Sequence, residues 1–183
     1  MYNAAPTRLI ALCGRPKSGK TEVQKILETM WGYEPVDDGF PMRDFAIRHL
    51  GLTKDQVYTQ EGKASFVEIA GKRWQVRDIL GQLGNQLEAQ FGSDGIPFMA
   101  TQGLRAGKFY SFGCVRREQG AFYKTLGGIV VGVRRPGIEP SPFEFDRFNE
   151  ELVDHWIDND GSIGDLARKV DALILTLTKG LAA

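Results

Sequence analysis

Short apolar runs alternate along the chain with longer stretches in which apolar residues recur at helical spacing. The apolar runs, which predict strands, lie at about residues 8–13, 33–37, 108–115, 129–133 and 155–157. The periodic stretches, which predict helices, lie at about residues 21–31, 42–50, 76–91, 116–126 and 165–177. This alternation predicts an α/β fold with a mostly parallel sheet and helices on both of its faces.

The helical segments at 21–31 and 76–91 have the clearest period. Their apolar faces consist of Val23, Ile26, Leu27 and Met30 in the first and of Val76, Ile79, Leu80, Leu83 and Leu87 in the second. The run Ile129–Val133 is apolar throughout, as expected of a strand buried on both faces. Ser162 is predicted to cap the last helix.

The remaining segments are predicted to be irregular. Residues 51–66 are polar and predict a mobile helix–loop segment, and residues 92–97 predict a loop. Residues 134–148 predict a loop or lid, because Pro136, Gly137, Pro140 and Pro142 interrupt them. The organisation expected is one domain over residues 1–183, with an insert at about residues 40–92 and a lid-like loop at about 134–152.

The composition fits one globular domain, since the chain has 183 residues of which 42% are hydrophobic. Its 23 basic and 23 acidic residues cancel, which argues against nucleic-acid or anionic-membrane partners. Apolar runs stay below the ~18 residues that span a bilayer, and the beginning of the chain lacks the order of a signal peptide. Cys13 and Cys114 both lie in predicted buried strands, so free thiols and a cytoplasmic location are expected.

The first apolar run leads directly into a glycine-rich loop. Gly14 is followed by four residues and then by Gly19, Lys20 and Thr21, which is the Walker A or P-loop pattern. Its glycines let the backbone turn tightly around a polyphosphate, and its N–H groups lie at the start of a helix. Lys20 supplies a charge near the β- and γ-phosphates, and the Thr21 hydroxyl can hold Mg²⁺.

Ligands of parallel α/β sheets bind where the strands end, so the residues after each strand are the next candidates. Beyond the P-loop, these are Asp37 with Asp38, Arg116 with Arg117, and Arg134 with Arg135. Three of the four clusters carry cations and one carries paired acids. Such a set suits a nucleoside triphosphate, a second phosphate and Mg²⁺.

With these clusters placed, the chain resembles the phage-type deoxynucleoside monophosphate kinases, a branch of the P-loop nucleoside monophosphate kinases. The segments that carry the resemblance, besides the P-loop, are Gly51–Lys63, Arg77–Gly84, Val115–Val130, Val133–Pro136 and Asp154–Asp165. The resemblance implies a three-layer P-loop NTPase fold, with a substrate-binding insert at about residues 40–92. It also implies ATP and Mg²⁺ as cofactors and a small (deoxy)nucleoside monophosphate as the partner, in the cytoplasm (the host cytoplasm if phage-encoded).

The motif, the strand ends and the resemblance together assign roles to individual residues. Predicted to bind ATP are Gly14, Arg15, Pro16, Lys17, Ser18, Gly19, Lys20, Thr21 and Glu22. Predicted to be catalytic are Lys20, Arg116, Arg117, Arg134 and Arg135. Predicted to bind the acceptor are Asp38, Arg43, Arg77 and Arg116. Thr21 and Asp37 are the predicted metal ligands.

Other residues have a structural interpretation beside a functional one. Asp37 and Asp38 could merely cap the helix that follows, and Trp74 or Phe66 could pack in a core or stack on a substrate base. His49 and His155 are isolated and are expected to be structural.

The chain departs from the resembled family at two places. The family usually has an acid at the position of Cys114, where a carboxylate would position water ligands of Mg²⁺. Asn85 and Gln86 stand where Thr-Glu is common, so contacts with the acceptor can differ there.

Two alternatives remain open at this point. One is a kinase of another small acceptor such as a nucleoside, in which an acid near Asp37 and Asp38 would take the hydroxyl proton. The other is a degenerate kinase whose nucleotide site serves a regulatory contact, which Cys114 favours. The sequence does not determine which base or which sugar of the acceptor is preferred. It also leaves open whether the chain forms a homodimer.

Overall fold

The computed structural model describes residues 9–180, and side chains up to residue 178. Arg8, predicted to open the first strand, lies outside the described residues. The chain divides into two compact units. The first comprises the residues up to Asp37 and those from Thr101 onward, and the second comprises Asp38–Ala100.

A five-stranded parallel sheet forms the centre of the first unit. Its strands are β1 (Leu9–Cys13), β2 (Glu34–Val36), β5 (Tyr110–Phe112), β6 (Ile129–Arg134) and β7 (His155–Asp158). Their order is β2-β5-β1-β6-β7, so β1 lies in the middle of the sheet. The predicted mostly parallel sheet is therefore confirmed, and β1 delivers the glycine-rich loop to the centre of its carboxyl edge.

The helices of the first unit are α1 (Lys20–Trp31), α7 (Gln119–Thr125) and α8 (Ile163–Gly180). α1 and α8 pack on each other and share one buried cluster with β1, β6 and β7. The fully buried members of this cluster include Ile10, Leu12, Leu27, Val131, Val170 and Ile174. This apolar layer fixes the start of α1 against the sheet, and it thereby positions the loop that precedes α1.

The second unit is built from α2 (Phe40–Leu50), α3 (Lys54–Tyr58), α4 (Gln60–Ala64) and α5 (Val76–Phe91), with most of α6 (Gly95–Thr101). It also contains an antiparallel hairpin of β3 (Phe66–Ile69) and β4 (Lys72–Gln75). Its core consists of Ala46, Leu52, Val57, Val76 and Ile79. The segment predicted to be mobile thus contains two short helices.

Several details predicted from the sequence were wrong. The hairpin was missed because its turn residues, Ala70 and Gly71, both have positive φ, and alanine gives no turn signal. Residues 95–97 are helical rather than a loop, because Pro97 is tolerated in a first helical turn. Met30 is 52% exposed instead of lying on the buried face of α1.

The predicted strand over residues 108–115 and helix over 116–126 are both shorter in the structure. Pairing of β5 stops at Phe112, where Gln24 donates a 2.9 Å hydrogen bond to the Ser111 carbonyl and lies against Gly113. Arg117 has a φ of 41°, which a helix cannot accommodate, so α7 begins only at Gln119. Cys114 consequently lies in an irregular segment and is partly exposed, not buried in a strand as predicted.

The predicted cap of α8 is present. The Ser162 hydroxyl accepts from the Asp165 amide at 3.2 Å, and the Ser162 amide donates to the Asp165 carboxylate at 2.9 Å. This reciprocal pair satisfies two backbone N–H groups at the start of the helix. The Ser162 hydroxyl also donates to the Asp165 carboxylate at 2.6 Å, and this bond, with the one from the Ser162 amide, holds the pKa of Asp165 below its ordinary value.

Ser162→Ala is expected to lower the free energy of unfolding by about 1 kcal/mol, because it removes the cap. Urea unfolding followed by circular dichroism measures the change. Thr176→Ala is the matched control, since it removes an exposed hydroxyl from the interior of the same helix. Equal destabilisation by the two variants would contradict the capping role.

Candidate functional site

The loop between β1 and α1 needs glycine at both of its ends. Gly14 has a φ of 141°, and a Cβ there would lie 2.4 Å from the Val133 carbonyl oxygen. Gly19 has a φ of 106°, and a Cβ there would lie 2.3 Å from Nδ2 of Asn159. Both positions combine a left-handed backbone with close neighbours, so the loop is a tightly fitted cradle.

The inner surface of the loop is equipped for an anion. α1 has no side-chain cap at its N-terminus, which leaves its first N–H groups available to a ligand. Ser18 is 1% exposed, and its hydroxyl has no hydrogen-bond partner within residues 9–180. Lys17 has a φ of 66°, a strained conformation of the kind that concentrates at functional sites.

Lys20 folds back onto this loop. Its Nζ donates to the carbonyl oxygens of Gly14 at 2.7 Å and of Arg15 at 2.9 Å. Burial lowers the pKa of Lys20 below its ordinary value; Arg116 also lowers it, while Cys114 and Asp146 act in the opposite direction. A partly desolvated cation held on carbonyl oxygens has an unfavourable environment, which an anionic phosphate would improve.

The neighbours of Lys20 form a small polar cluster at the end of β5. Arg116 donates from Nη2 to the Cys114 sulfur at 3.1 Å, and the same nitrogen lies 3.9 Å from Oδ1 of Asp146. The Asp146 side chain is 7% exposed, and its Oδ2 accepts from the Ser141 hydroxyl at 2.6 Å. Lys20, Cys114, Arg116 and Asp146 are therefore the polar side chains that the structure brings together beside the loop.

Arg117 is fixed mainly through its backbone. Its amide donates to the Arg147 carbonyl at 2.8 Å, and its carbonyl accepts from Asn149 at 3.1 Å. Its guanidinium lies 3.9 Å from Glu144. The segment around residues 144–149 is thereby attached alongside Arg116 and Arg117.

The second predicted pair of arginines lies at the end of β6. Arg134 forms a two-point ion pair with Asp158, at 2.8 and 3.3 Å, and stacks over Trp156 at 4.6 Å. Arg135 is exposed. The catalytic role of both residues stays a prediction.

Three of the four predicted acceptor residues, Asp38, Arg43 and Arg77, lie in the second unit, and the fourth, Arg116, lies in the first. Asp38, two residues before the start of α2, is 2% exposed. Arg43 lies over the ring of Tyr58 at 5.0 Å, and Arg77 donates to Gln60 at 2.7 Å. Their role in binding an acceptor stays a prediction.

The aromatic candidates differ in their surroundings. Trp74 packs against the core of the second unit, whereas Phe66 is 53% exposed with the Arg73 guanidinium 4.4 Å above its ring. Asp37 follows β2 and is partly buried. Within residues 9–180, no group of three or more His, Cys, Asp or Glu side chains is arranged to hold a metal ion.

Sequence reasoning missed two residues beside the loop. Asn159, after β7, donates from Nδ2 to the Ser18 carbonyl at 2.9 Å, while its amide donates to the Arg134 carbonyl at 2.7 Å. It thus ties the cradle to the end of β6. Asp146 was missed as well, because it belongs to a 3₁₀ turn (Glu144–Asp146) inside the predicted lid and carries no motif spacing.

A further contact links the predicted lid to the loop. Arg15 donates to the Ile138 carbonyl at 2.6 Å.

Within the described part of the chain, the helices are too short or too polar to cross a bilayer.

Comparison with solved structures identifies the fold. Dephospho-CoA kinase from Campylobacter jejuni has a TM-score of 0.54 and 16% identity, over 94% of this chain and 98% of that chain. The protein TT1252 from Thermus thermophilus has a TM-score of 0.53 and 17% identity, over 94% of this chain and 99% of that chain. The predicted P-loop fold, with its mostly parallel sheet flanked by helices, is thereby confirmed. Neither a protein-family model nor a curated protein sequence matches the chain.

Proposed function

We propose that this protein is an ATP-dependent kinase that transfers the γ-phosphoryl group of ATP to a small acceptor, and that the acceptor is a (deoxy)nucleoside monophosphate. The observation that carries the proposal is the glycine cradle with Lys20 folded onto its carbonyl oxygens at 2.7 and 2.9 Å. The likeness in fold to dephospho-CoA kinase agrees with phosphotransfer. It does not bear on the acceptor, because it is a likeness of fold alone.

On the donor side, the protein contributes position and charge. The N–H groups at the start of α1 would hold phosphate oxygens, and Lys20 would leave its carbonyl partners to neutralise charge on the transferred group. Asn159 keeps the loop in shape through its bond to Ser18. Positioning and charge neutralisation supply most of the catalysis in this class of reaction.

On the acceptor side, arginine side chains are the candidates. Arg116 lies beside Lys20, where its guanidinium could hold the acceptor phosphate in line. The acceptor roles of Arg43 and Arg77 remain predictions from the sequence and its resemblance. An acceptor oxygen would form a bond to the γ-phosphorus as the bond to the bridging oxygen breaks and ADP leaves. A monophosphate oxygen is already ionised, so no strong base is required.

The residues present are compatible with Mg²⁺. Thr21 follows Lys20 on the exposed start of α1, and its hydroxyl is the predicted ligand. When bound, the ion would neutralise charge on the phosphates. Asp146 is an acid within electrostatic range of Lys20, whereas the residue at position 114 is a cysteine.

A kinase of a different acceptor is the second candidate. Asp38 is 2% exposed, and a buried carboxylate could accept the proton of an attacking hydroxyl group such as that of a nucleoside. In a nucleoside kinase, Asp38→Asn would lower kcat, because the base is lost. In a monophosphate kinase, which needs no base at this step, the same variant would mainly raise the KM for the acceptor.

A coupled ADP-release assay tests the proposal. The purified protein is incubated with ATP and Mg²⁺ and, separately, with each of the (deoxy)nucleoside monophosphates and the corresponding nucleosides. ADP release with at least one monophosphate, but not with the nucleosides, supports the proposal. Release with nucleosides alone favours the second candidate, and nucleotide binding without release in any mixture favours a regulatory module.

Arg116→Ala is expected to raise the KM for the monophosphate by at least about tenfold while changing the KM for ATP far less, because a charge-assisted contact to phosphate is lost. Arg117→Ala is expected to act in the same direction. Initial rates with one substrate varied at a time measure both constants.

Arg105→Ala is the control for these variants, since Arg105 is exposed. Equal increases of the two KM values in Arg116→Ala would place this residue on the donor side or in a structural role.

A further inference from the structure

We propose that Asp146 is the acid of the nucleotide site, and that it contributes a carboxylate from the lid segment beside Arg116 and Cys114. The inference rests on the proposed function, because it concerns the same site. Its specific content is that Asp146 supports the binding of nucleotide in complex with Mg²⁺.

The Asp146 carboxylate has a hydrogen bond at one oxygen and a cation near the other. Oδ2 accepts from the Ser141 hydroxyl at 2.6 Å, and Oδ1 lies 3.9 Å from Nη2 of Arg116. The side chain is 7% exposed. A carboxylate this far out of bulk water is uncommon unless a cation or a ligand compensates it.

The turn that carries Asp146 is attached to the end of β5 by its backbone. The Arg117 amide donates to the Arg147 carbonyl at 2.8 Å, and the Asn149 amide donates to the Arg117 carbonyl at 3.1 Å. Arg117 adopts a φ of 41° to make this connection. Asp146 is therefore not on a free end of the lid segment but on the part that is joined to residues 116 and 117.

Asp146 also acts on the lysine of the cradle. Burial lowers the pKa of Lys20, and both Cys114 and the negative charge of Asp146 act to raise it. Both side chains are thus within electrostatic range of the same ammonium group. Asp146 and Cys114 share a neighbourhood, and only Asp146 is a carboxylate.

The two side chains differ in what they can accept. A carboxylate offers two oxygens with about four acceptor positions, whereas a thiol is a weak acceptor. Mg²⁺ keeps several waters of its shell when it binds in proteins, so nearby carboxylates hold the ion through hydrogen bonds. Asp146 can perform this task from the neighbourhood in which a carboxylate at position 114 would act.

The test is the nucleotide affinity of Asp146→Asn, measured by isothermal titration calorimetry with a non-hydrolysable ATP analogue in Mg²⁺ and, separately, in EDTA. We expect the Kd in Mg²⁺ to rise by about tenfold or more, as for other residues that orient metal ligands. The Kd in EDTA should stay constant or fall, because a negative charge near the polyphosphate is removed. A merely structural role would raise both Kd values by the same factor.

Glu144→Gln is the matched control, since Glu144 lies on the same 3₁₀ turn but its side chain is 74% exposed. It should leave the ratio of the two Kd values unchanged. The inference is overturned if Asp146→Asn raises both Kd values equally, or if Asp37→Asn and not Asp146→Asn affects binding in Mg²⁺ selectively.

Ser141→Ala keeps the test decisive if Asp146→Asn does not fold. This variant retains the carboxylate and removes the hydroxyl that bonds it at 2.6 Å. We expect the Kd for the nucleotide to rise about fivefold in Mg²⁺ and to stay unchanged in EDTA. An unchanged ratio would then overturn the inference. Wild-type protein that binds no nucleotide in either condition would instead refute the proposed function.

Discussion

Lys20→Ala is expected to abolish phosphoryl transfer and to leave the fold intact. The ammonium group acts on charge that develops on the transferred phosphoryl group, and removal of such a contact costs about two or more orders of magnitude in rate. The glycines, not the lysine, shape the loop, so circular dichroism should be unchanged. Steady-state ADP release measures the loss of rate.

The stability of Lys20→Ala provides a second readout. Burial lowers the pKa of Lys20, which means that the folded state disfavours the charged form. This burial of a charged group lowers the free energy of unfolding at pH values at which the lysine is charged in both the folded and the unfolded state. The loss of stability decreases as the pH rises through the lowered pKa of the folded state. At neutral pH, Tm should therefore stay the same or increase.

Lys25→Ala is the control, because Lys25 is exposed on α1, where its ammonium group pairs with Glu22 at 2.9 Å. Its activity should equal that of the wild type. A Lys20→Ala protein with normal turnover would contradict the assignment of the loop.

Gly14→Ala is expected to destabilise the protein and to remove nucleotide binding together. A Cβ would lie 2.4 Å from the Val133 carbonyl oxygen, which belongs to the backbone of β6 and cannot swing away. The φ of 141° adds strain for any other residue. Overpacking and backbone strain together predict a loss of at least about 2 kcal/mol in the free energy of unfolding.

Chemical denaturation and nucleotide titration measure the two effects of Gly14→Ala. Gly127→Ala separates strain from contact, because Gly127 also has a positive φ of 74° but a Cβ there would meet nothing within 4 Å. It should lose about 1 kcal/mol and bind nucleotide normally. Similar behaviour of the two variants would mean that the close approach of Gly14 to β6 does not matter.

Much of the first unit could be predicted from the sequence, because its signals are local. The run Ile129–Val133 is apolar throughout, and β6 is buried over most of its length. The end of β5 was not predicted, and the Gln24 side chain that bonds the Ser111 carbonyl there comes from a residue distant in sequence. The hairpin of the second unit was hidden because Ala70 occupies a position of positive φ that glycine or asparagine usually takes.

The same distinction holds for the candidate site. The cradle was predictable because Gly14, Gly19 and Lys20 follow one another at a spacing set by the chemistry of phosphate binding. Asp146 and Asn159 could not be predicted, because they are more than a hundred residues from the loop in sequence. Only the folded chain brings them to it, as in the 2.9 Å hydrogen bond from Asn159 to Ser18. Arg134 was predicted from its place after a strand, and its ion pair with Asp158 emerged only from the register of β6 with β7.

The most direct test of the central claim follows the phosphoryl group itself. Wild-type protein is incubated with ATP labelled at the γ-phosphate, Mg²⁺ and a mixture of (deoxy)nucleoside monophosphates, and the nucleotides are then separated by chromatography. The account predicts label in the β-phosphate of at least one nucleoside diphosphate, and none when Lys20→Ala replaces the wild type. Label that remains in ATP, or appears only as inorganic phosphate, with every monophosphate would contradict it.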